Sequence, residues 1–337
     1  MGGDATTIVA VRALRCVLLA WLLPIYFSCA TYYGYSTAYT TKVFSEPTFR
    51  RQYEKGVYRY RVLGRWTLLA THDLIERTHL PSMLPRSIAT TEKKRATAGF
   101  YTAYCVHNAF FLCLACTVLF VLLERRRRTD GFIVDVALVA MALLMAITGY
   151  VVVPYDTMSY FFIAGAAALV LRAPGPGGFA PLCVALALAT LTRESSVVIL
   201  ALYAAVHLPE LAGCRPGRRH LELLLLVVVF VAVYGGLRAA LGVGHGAVTQ
   251  GSVMALNLSR PLARIGFGAF LAFVAWCLVD AAHRRRCAWF LILCAPFLVT
   301  VTIVGLVWET RLFMPVMLPL LLLKLEPLAP PAPAHAG

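Results

Sequence analysis

The chain is 337 residues long, 60% hydrophobic and 14% charged, with a formal net charge of +15. Soluble domains are nearer half apolar and a quarter charged, so this composition excludes an ordinary water-soluble fold. The apolar residues fall in blocks near the roughly 20 residues that cross a bilayer, which predicts an all-α, polytopic transmembrane helical bundle of about ten spans, within a range of eight to eleven.

The first apolar block runs from about Val9 to Cys29, and Arg12 and Arg15 precede its core, so the N-terminus is expected in the cytoplasm. No small-residue cleavage site follows, and Tyr32, Tyr33 and Tyr35 read as an interfacial belt, so the block reads as a retained span and not a signal peptide. Residues 31–98 form the longest polar segment, expected as an outer loop. Within it, Val57 to Ala70 is amphipathic and predicted to lie along the membrane surface.

The later blocks are Phe100–Leu123, Phe132–Val153, Met158–Leu171, Phe179–Leu191, Val197–Leu211, Leu221–Leu237, Ile265–Ala282, Ala288–Val307 and Leu312–Leu323. Three basic groups lie in short gaps between them: Arg125 to Arg128; Arg215, Arg218 and Arg219; and Arg284 to Arg286. Counting spans puts all three on one side, the positive-inside signature, so both termini are expected in the cytoplasm and no nucleic-acid partner is implied. Residues 1–325 read as one transmembrane domain, and the Pro/Ala-rich tail 326–337 reads as disordered.

Cys105, Cys113, Cys116, Cys183, Cys277 and Cys294 lie inside apolar blocks, where cysteine packs as a small hydrophobe. Cys113-Leu-Ala-Cys116 matches C-x-x-C but has no partner pair, and no Cys/His cluster has zinc-ligand spacing, so no metal ligands are assigned.

The remaining charges sit flush against span ends on the side opposite the arginine groups: Asp156, Arg193, Glu194, Arg238, Glu309 and Arg311. Each has an ordinary reading. Asp156 can cap a helix, Arg193-Glu194 can be a solvated tight loop, and Glu309 can pair with Arg311 to anchor a helix end. Their convergence on one face instead points to a polar cavity where helix ends meet, since an isolated charge at the membrane edge is costly.

Four segments carry a family resemblance: Tyr58-Arg59-Tyr60-Arg61-Val62-Leu63, Pro154-Tyr155-Asp156, Thr190-Leu191-Thr192-Arg193-Glu194-Ser195-Ser196, and Glu309-Thr310-Arg311-Leu312-Phe313-Met314-Pro315. In order and layout the chain resembles bacterial multi-pass membrane proteins related to the GT-C glycosyltransferases. The resemblance implies a bacterial inner-membrane protein that uses a polyprenyl-phosphate sugar at its outer face. It also implies a base or divalent-metal ligand among the carboxylates of the first outer loop. The chain departs from that pattern in having no carboxylate between Cys29 and Glu46.

Inverting glycosyl transfer needs a carboxylate to take the acceptor proton, and arginines to hold the departing phosphate. Asp156, Glu46 and Asp73 are the candidates for the first role. Arg59, Arg61, Arg193, Arg238 and Arg311 are candidates for substrate binding, with Glu194 and Glu309 orienting arginines. Two other classes stay open on the same residues: a transporter or lipid flippase, and a non-catalytic membrane protein. Membrane lipids are partners in every case.

Overall fold

Long runs of Leu, Val and Ala become helices where water is excluded, because a helix satisfies its backbone hydrogen bonds within one segment. The computed structural model of the chain describes residues 5–35, 44–55, 57–84, 96–124, 127–171, 178–213, 217–242, 253–307 and 309–325, and these are helical with no strand among them. Arg125, Arg126, Arg215 and the tail 326–337 lie outside the described residues.

Helices α1 (Ala5–Val17) and α2 (Leu23–Ala30) join through a π-helical turn, Leu18–Leu22, and α2 runs on into a second, Thr31–Tyr35. The polar segment that follows holds α3 (Glu46–Lys55), a 3-10 turn (Val57–Tyr60) and α4 (Val62–Thr78). The membrane-type helices are α5 (Ala98–Glu124), α6 (Arg127–Ile147), α7 (Asp156–Leu171), α8 (Phe179–Thr192) and α9 (Val198–Val206). After the short α10 (Leu208–Leu211) come α11 (Arg218–Leu241), α12 (Met254–Ser259), α13 (Pro261–Val279), α14 (Ala281–Val304) and α15 (Met314–Lys324).

Six stretches are long and apolar enough to cross a membrane: Val9–Gly34, Ala98–Glu124, Gly131–Tyr150, Arg218–Leu241, Pro261–Val279 and Ala281–Val304. Four shorter apolar helices, Asp156–Leu171, Phe179–Thr192, Glu194–Val206 and Met314–Lys324, accompany them. Each apolar block of the sequence falls on one of these segments.

α7 and α15, both short, lie in the interior. α7 packs on α5, α8, α9 and α15. Met314 to Leu323 of α15 are buried without a break, as an all-apolar helix requires. α11 is the reverse: Glu222 and Leu226 are its only buried residues, and Leu221, Leu224, Leu225, Val227, Val228 and Val231 face outward.

The polar segment is tied to the bundle by aromatic packing. Phe44, Phe49, Tyr53, Phe100, Tyr101, Tyr104 and Tyr155 share one buried cluster. Phe44 meets Tyr101 edge-on at 5.1 Å, and Phe49 meets Phe100 at 5.3 Å, geometries that add to the burial of large rings. Tyr32 belongs to this cluster and is 1% exposed, so it is a core residue and not part of an interfacial belt. Val57 to Ala70 is not a single helix. It is a 3-10 turn followed by the first half of α4, which packs on α5.

The other end of the bundle holds separate ion pairs. Arg15 bridges Glu124, at 2.8 Å, and Asp135. At the α13–α14 turn, His283 and the Ala282 N–H hold the Asp280 carboxyl at about 2, below its usual value.

Candidate functional site

At about 1.5 Å per residue, the 16 residues of α7, the 14 of α8 and the 11 of α15 reach about 24, 21 and 16 Å, short of the roughly 30 Å of hydrocarbon. The charged ends of these short helices come together in the bundle. Asp156 opens α7, Arg193 directly follows α8, and Arg311 lies in the 3-10 turn (Thr310–Leu312) that precedes α15. The helix dipoles favour this placement, with the carboxylate at a positive helix start and the guanidinium of Arg193 at a negative helix end.

The three side chains form one buried network. Arg193 Nη1 donates to Asp156 Oδ1 at 2.5 Å, and Arg311 Nη1 donates to Asp156 Oδ2 at 3.2 Å. Arg311 Nε and Nη2 also hold Glu309 Oε2, at 2.9 and 2.8 Å. All four residues are at most 6% exposed. Two carboxylates and two arginines balance, as buried charges must.

Backbone geometry separates Arg193 from its neighbour. Arg193 is extended (φ −162°, ψ 142°) between α8 and the 3-10 turn Glu194–Val197, so successive side chains point to opposite sides. Arg193 turns inward to Asp156. Glu194 turns outward and accepts from Arg61 Nη2 at 2.6 Å. The guanidinium of Arg61 stacks 4.0 Å from the Tyr155 ring centroid, and that of Arg193 lies 5.8 Å from the same ring. Tyr155 therefore joins the outer Arg61–Glu194 pair to the inner network. Tyr155 Oη, Ser159 Oγ and Ser195 Oγ are buried and make no hydrogen bond among the described residues, which leaves polar atoms beside the network with capacity to spare.

The candidates thus sort into three groups. Asp156, Arg193, Glu309 and Arg311 share one network, with Arg61 and Glu194 against it. Arg193 pairs with Asp156 and not with its chain neighbour Glu194, so Glu194 orients Arg61. Arg59 and Arg238 form a second group around Tyr60, 5.1 and 4.7 Å from its ring centroid. Glu46 and Asp73 join neither. Glu46 binds Arg50 at 2.7 Å and lies 3.8 Å from His72, while Asp73 is exposed on α4.

Asn108, an uncharged residue, positions the start of α7. Its Nδ2 donates to the Val153 carbonyl at 3.0 Å and to the Tyr32 hydroxyl at 2.5 Å, and its Oδ1 accepts from Thr157 at 2.6 Å. It clamps the chain on both sides of Asp156. The signal was present in the sequence: His107-Asn108 interrupts an apolar block, and polar residues inside spans are seldom idle.

An apolar cavity of about 460 Å³ opens between α2 and α6, lined by Phe27, Ala30, Thr31, Leu143, Ile147 and Tyr150. Tyr150 also lies within electrostatic reach of Glu309, Arg311 and Asp156. The cavity is apolar, and Tyr150 is the lining residue that feels the charged network. Among the described residues, no group of three or more His, Cys, Asp or Glu is arranged to hold a metal ion.

Comparison with protein-family models, curated proteins and solved structures finds no match. Fold and site together define the class: a membrane-embedded helical protein with a buried, charge-balanced network where short helices end.

Proposed function

We propose that the chain is a GT-C-like glycosyltransferase that takes a sugar from a polyprenyl-phosphate donor at the outer face of a bacterial inner membrane. The observation that carries this reading is the buried Asp156–Arg193–Arg311–Glu309 network, together with an apolar cavity whose lining residue Tyr150 interacts electrostatically with it. A lipid phosphate needs both parts, arginines for its head and an apolar channel for its tail.

The network suggests how the reaction runs. The donor phosphate, an anion, competes with Asp156 for Arg193 or Arg311, since an arginine fork suits phosphate as well as carboxylate. The arginine that moves to the phosphate frees one Asp156 oxygen. The acceptor hydroxyl then attacks the sugar anomeric carbon, and its proton passes to that Asp156 oxygen. The bond from the anomeric carbon to the phosphate oxygen breaks, and the lipid phosphate leaves with the electron pair, held by the arginines. Glu309 keeps Arg311 in place throughout.

The test is lipid-phosphate release by protein reconstituted with polyprenyl-phosphate sugars and candidate acceptors. Release that depends on the acceptor supports the reading, and the absence of both donor binding and release rejects it. A transporter or lipid flippase is the second reading, favoured by the way α8 and α9 break end to end beside the charged residues. Movement of labelled lipid across the vesicle wall without release selects it.

The reading also requires an orientation. In a cysteine-free background, Asp73→Cys and Thr310→Cys are expected to react with an impermeant thiol reagent from the outer face, and Arg285→Cys only from the opposite face. Thr310 and Arg285 labelling from one side contradicts an outer site.

A further inference from the structure

Arg59 and Arg238 differ from the other arginines of the site. Arg61, Arg193 and Arg311 each hold a carboxylate, whereas neither Arg59 nor Arg238 has one among the described residues. Arg59 Nη2 donates to the Gly242 carbonyl at the end of α11 and to Tyr60 Oη. Among the described residues, Arg238 contacts the rings of Tyr60 and, at 4.6 Å, Tyr234. The Nε of each is buried and makes no hydrogen bond among the described residues. Two guanidinium groups on one tyrosine ring, neither holding a carboxylate among the described residues, favour an anion.

The surface leading to them says which anion. Leu221, Leu224, Val228, Val231, Gly235 and Arg238 follow spacings of three and four residues, which places them on one stripe of α11. The four Leu and Val side chains of the stripe are between 52% and 58% exposed, and a Cβ added at Gly235 meets nothing within 4 Å. From Leu221 to Arg238 the stripe runs about 25 Å. It is an open apolar track that ends at Arg238, with Arg59 on the same tyrosine ring and no carboxylate on either among the described residues.

We propose that Arg59 and Arg238 bind the phosphate of an anionic phospholipid headgroup whose acyl chains lie along this stripe of α11. The site is separate from the Asp156 network and stands whether or not the protein transfers sugar. Its role is to fix the polar segment carrying Arg59 against α11, because the headgroup bridges the two.

The test is thermal unfolding in a neutral detergent with added phosphatidylglycerol, phosphatidylcholine or inorganic phosphate. Phosphatidylglycerol is expected to raise the Tm of the wild type more than phosphatidylcholine does. Combined Arg59→Gln and Arg238→Gln substitution is expected to weaken that lipid's binding about tenfold or more, with Arg285→Gln, on an exposed residue of α14, leaving it unchanged. If the glutamine pair does not fold, the Arg59→Lys/Arg238→Lys pair, which keeps charge but loses the fork, is expected to bind with intermediate strength. An undiminished lipid shift in the variant that folds overturns the site. Equal stabilisation by inorganic phosphate overturns the lipid assignment. Donor turnover is not read in this experiment, so its outcome is independent of the glycosyl-transfer reading.

Discussion

Arg193→Ala is expected to lower unfolding free energy by about 3–5 kcal/mol, because it strands Asp156 in the bundle with half of its compensation removed. Arg285→Ala, on a side chain exposed at the α14 end, is expected to change it by less than about 0.5 kcal/mol. Reversible unfolding in mixed micelles measures both. The cause is specific enough to be checked by a second substitution. Asp156→Asn in the Arg193→Ala background removes the stranded charge and should recover part of the loss, so the two changes are not additive. Equal effects at Arg193 and Arg285, or simple additivity at Arg193 and Asp156, contradict the view of the network as a coupled unit.

The second large effect is on chemistry. Asp156→Asn keeps the shape and hydrogen-bonding capacity of the side chain but cannot take a proton. It is expected to lower lipid-phosphate release by about 10² to 10⁴-fold, with donor binding retained because Arg193 and Arg311 remain. Glu46→Gln is expected to leave release near wild type, since Glu46 sits with Arg50 and His72, away from the network. A profile in which Glu46→Gln abolishes release and Asp156→Asn does not moves the base to the polar segment. The melting temperature of each variant separates lost chemistry from lost fold.

Much of the fold can be read from the apolar blocks, because length and composition decide which segments lipid can surround. The positions of the charged helix ends can be read too: Asp156, Arg193 and Arg311 stand out as charges flush against apolar runs. Their pairing cannot. Asp156 and Arg311 are 155 residues apart, and nothing local links them. Chain proximity misleads for Arg193-Glu194, where one extended residue sends the two side chains to opposite sides. Burial of Tyr32 was equally hidden, since a tyrosine after a span suits either an interface or a core. The separation of Arg59 from Arg61 follows from the 3-10 turn at Val57–Tyr60, which directs one toward α11 and the other toward Tyr155.

The central claim is that the Asp156 network opens for a lipid phosphate. Its most direct test is a structure of the protein in a lipid nanodisc with a non-hydrolysable polyprenyl-phosphate sugar analogue. The phosphate is expected at about 2.7–2.9 Å from Arg193 or Arg311, with the prenyl chain in the cavity lined by Phe27, Leu143 and Tyr150 and one Asp156 oxygen turned to the sugar. An analogue bound elsewhere, with both Asp156 oxygens still held by Arg193 and Arg311, contradicts it.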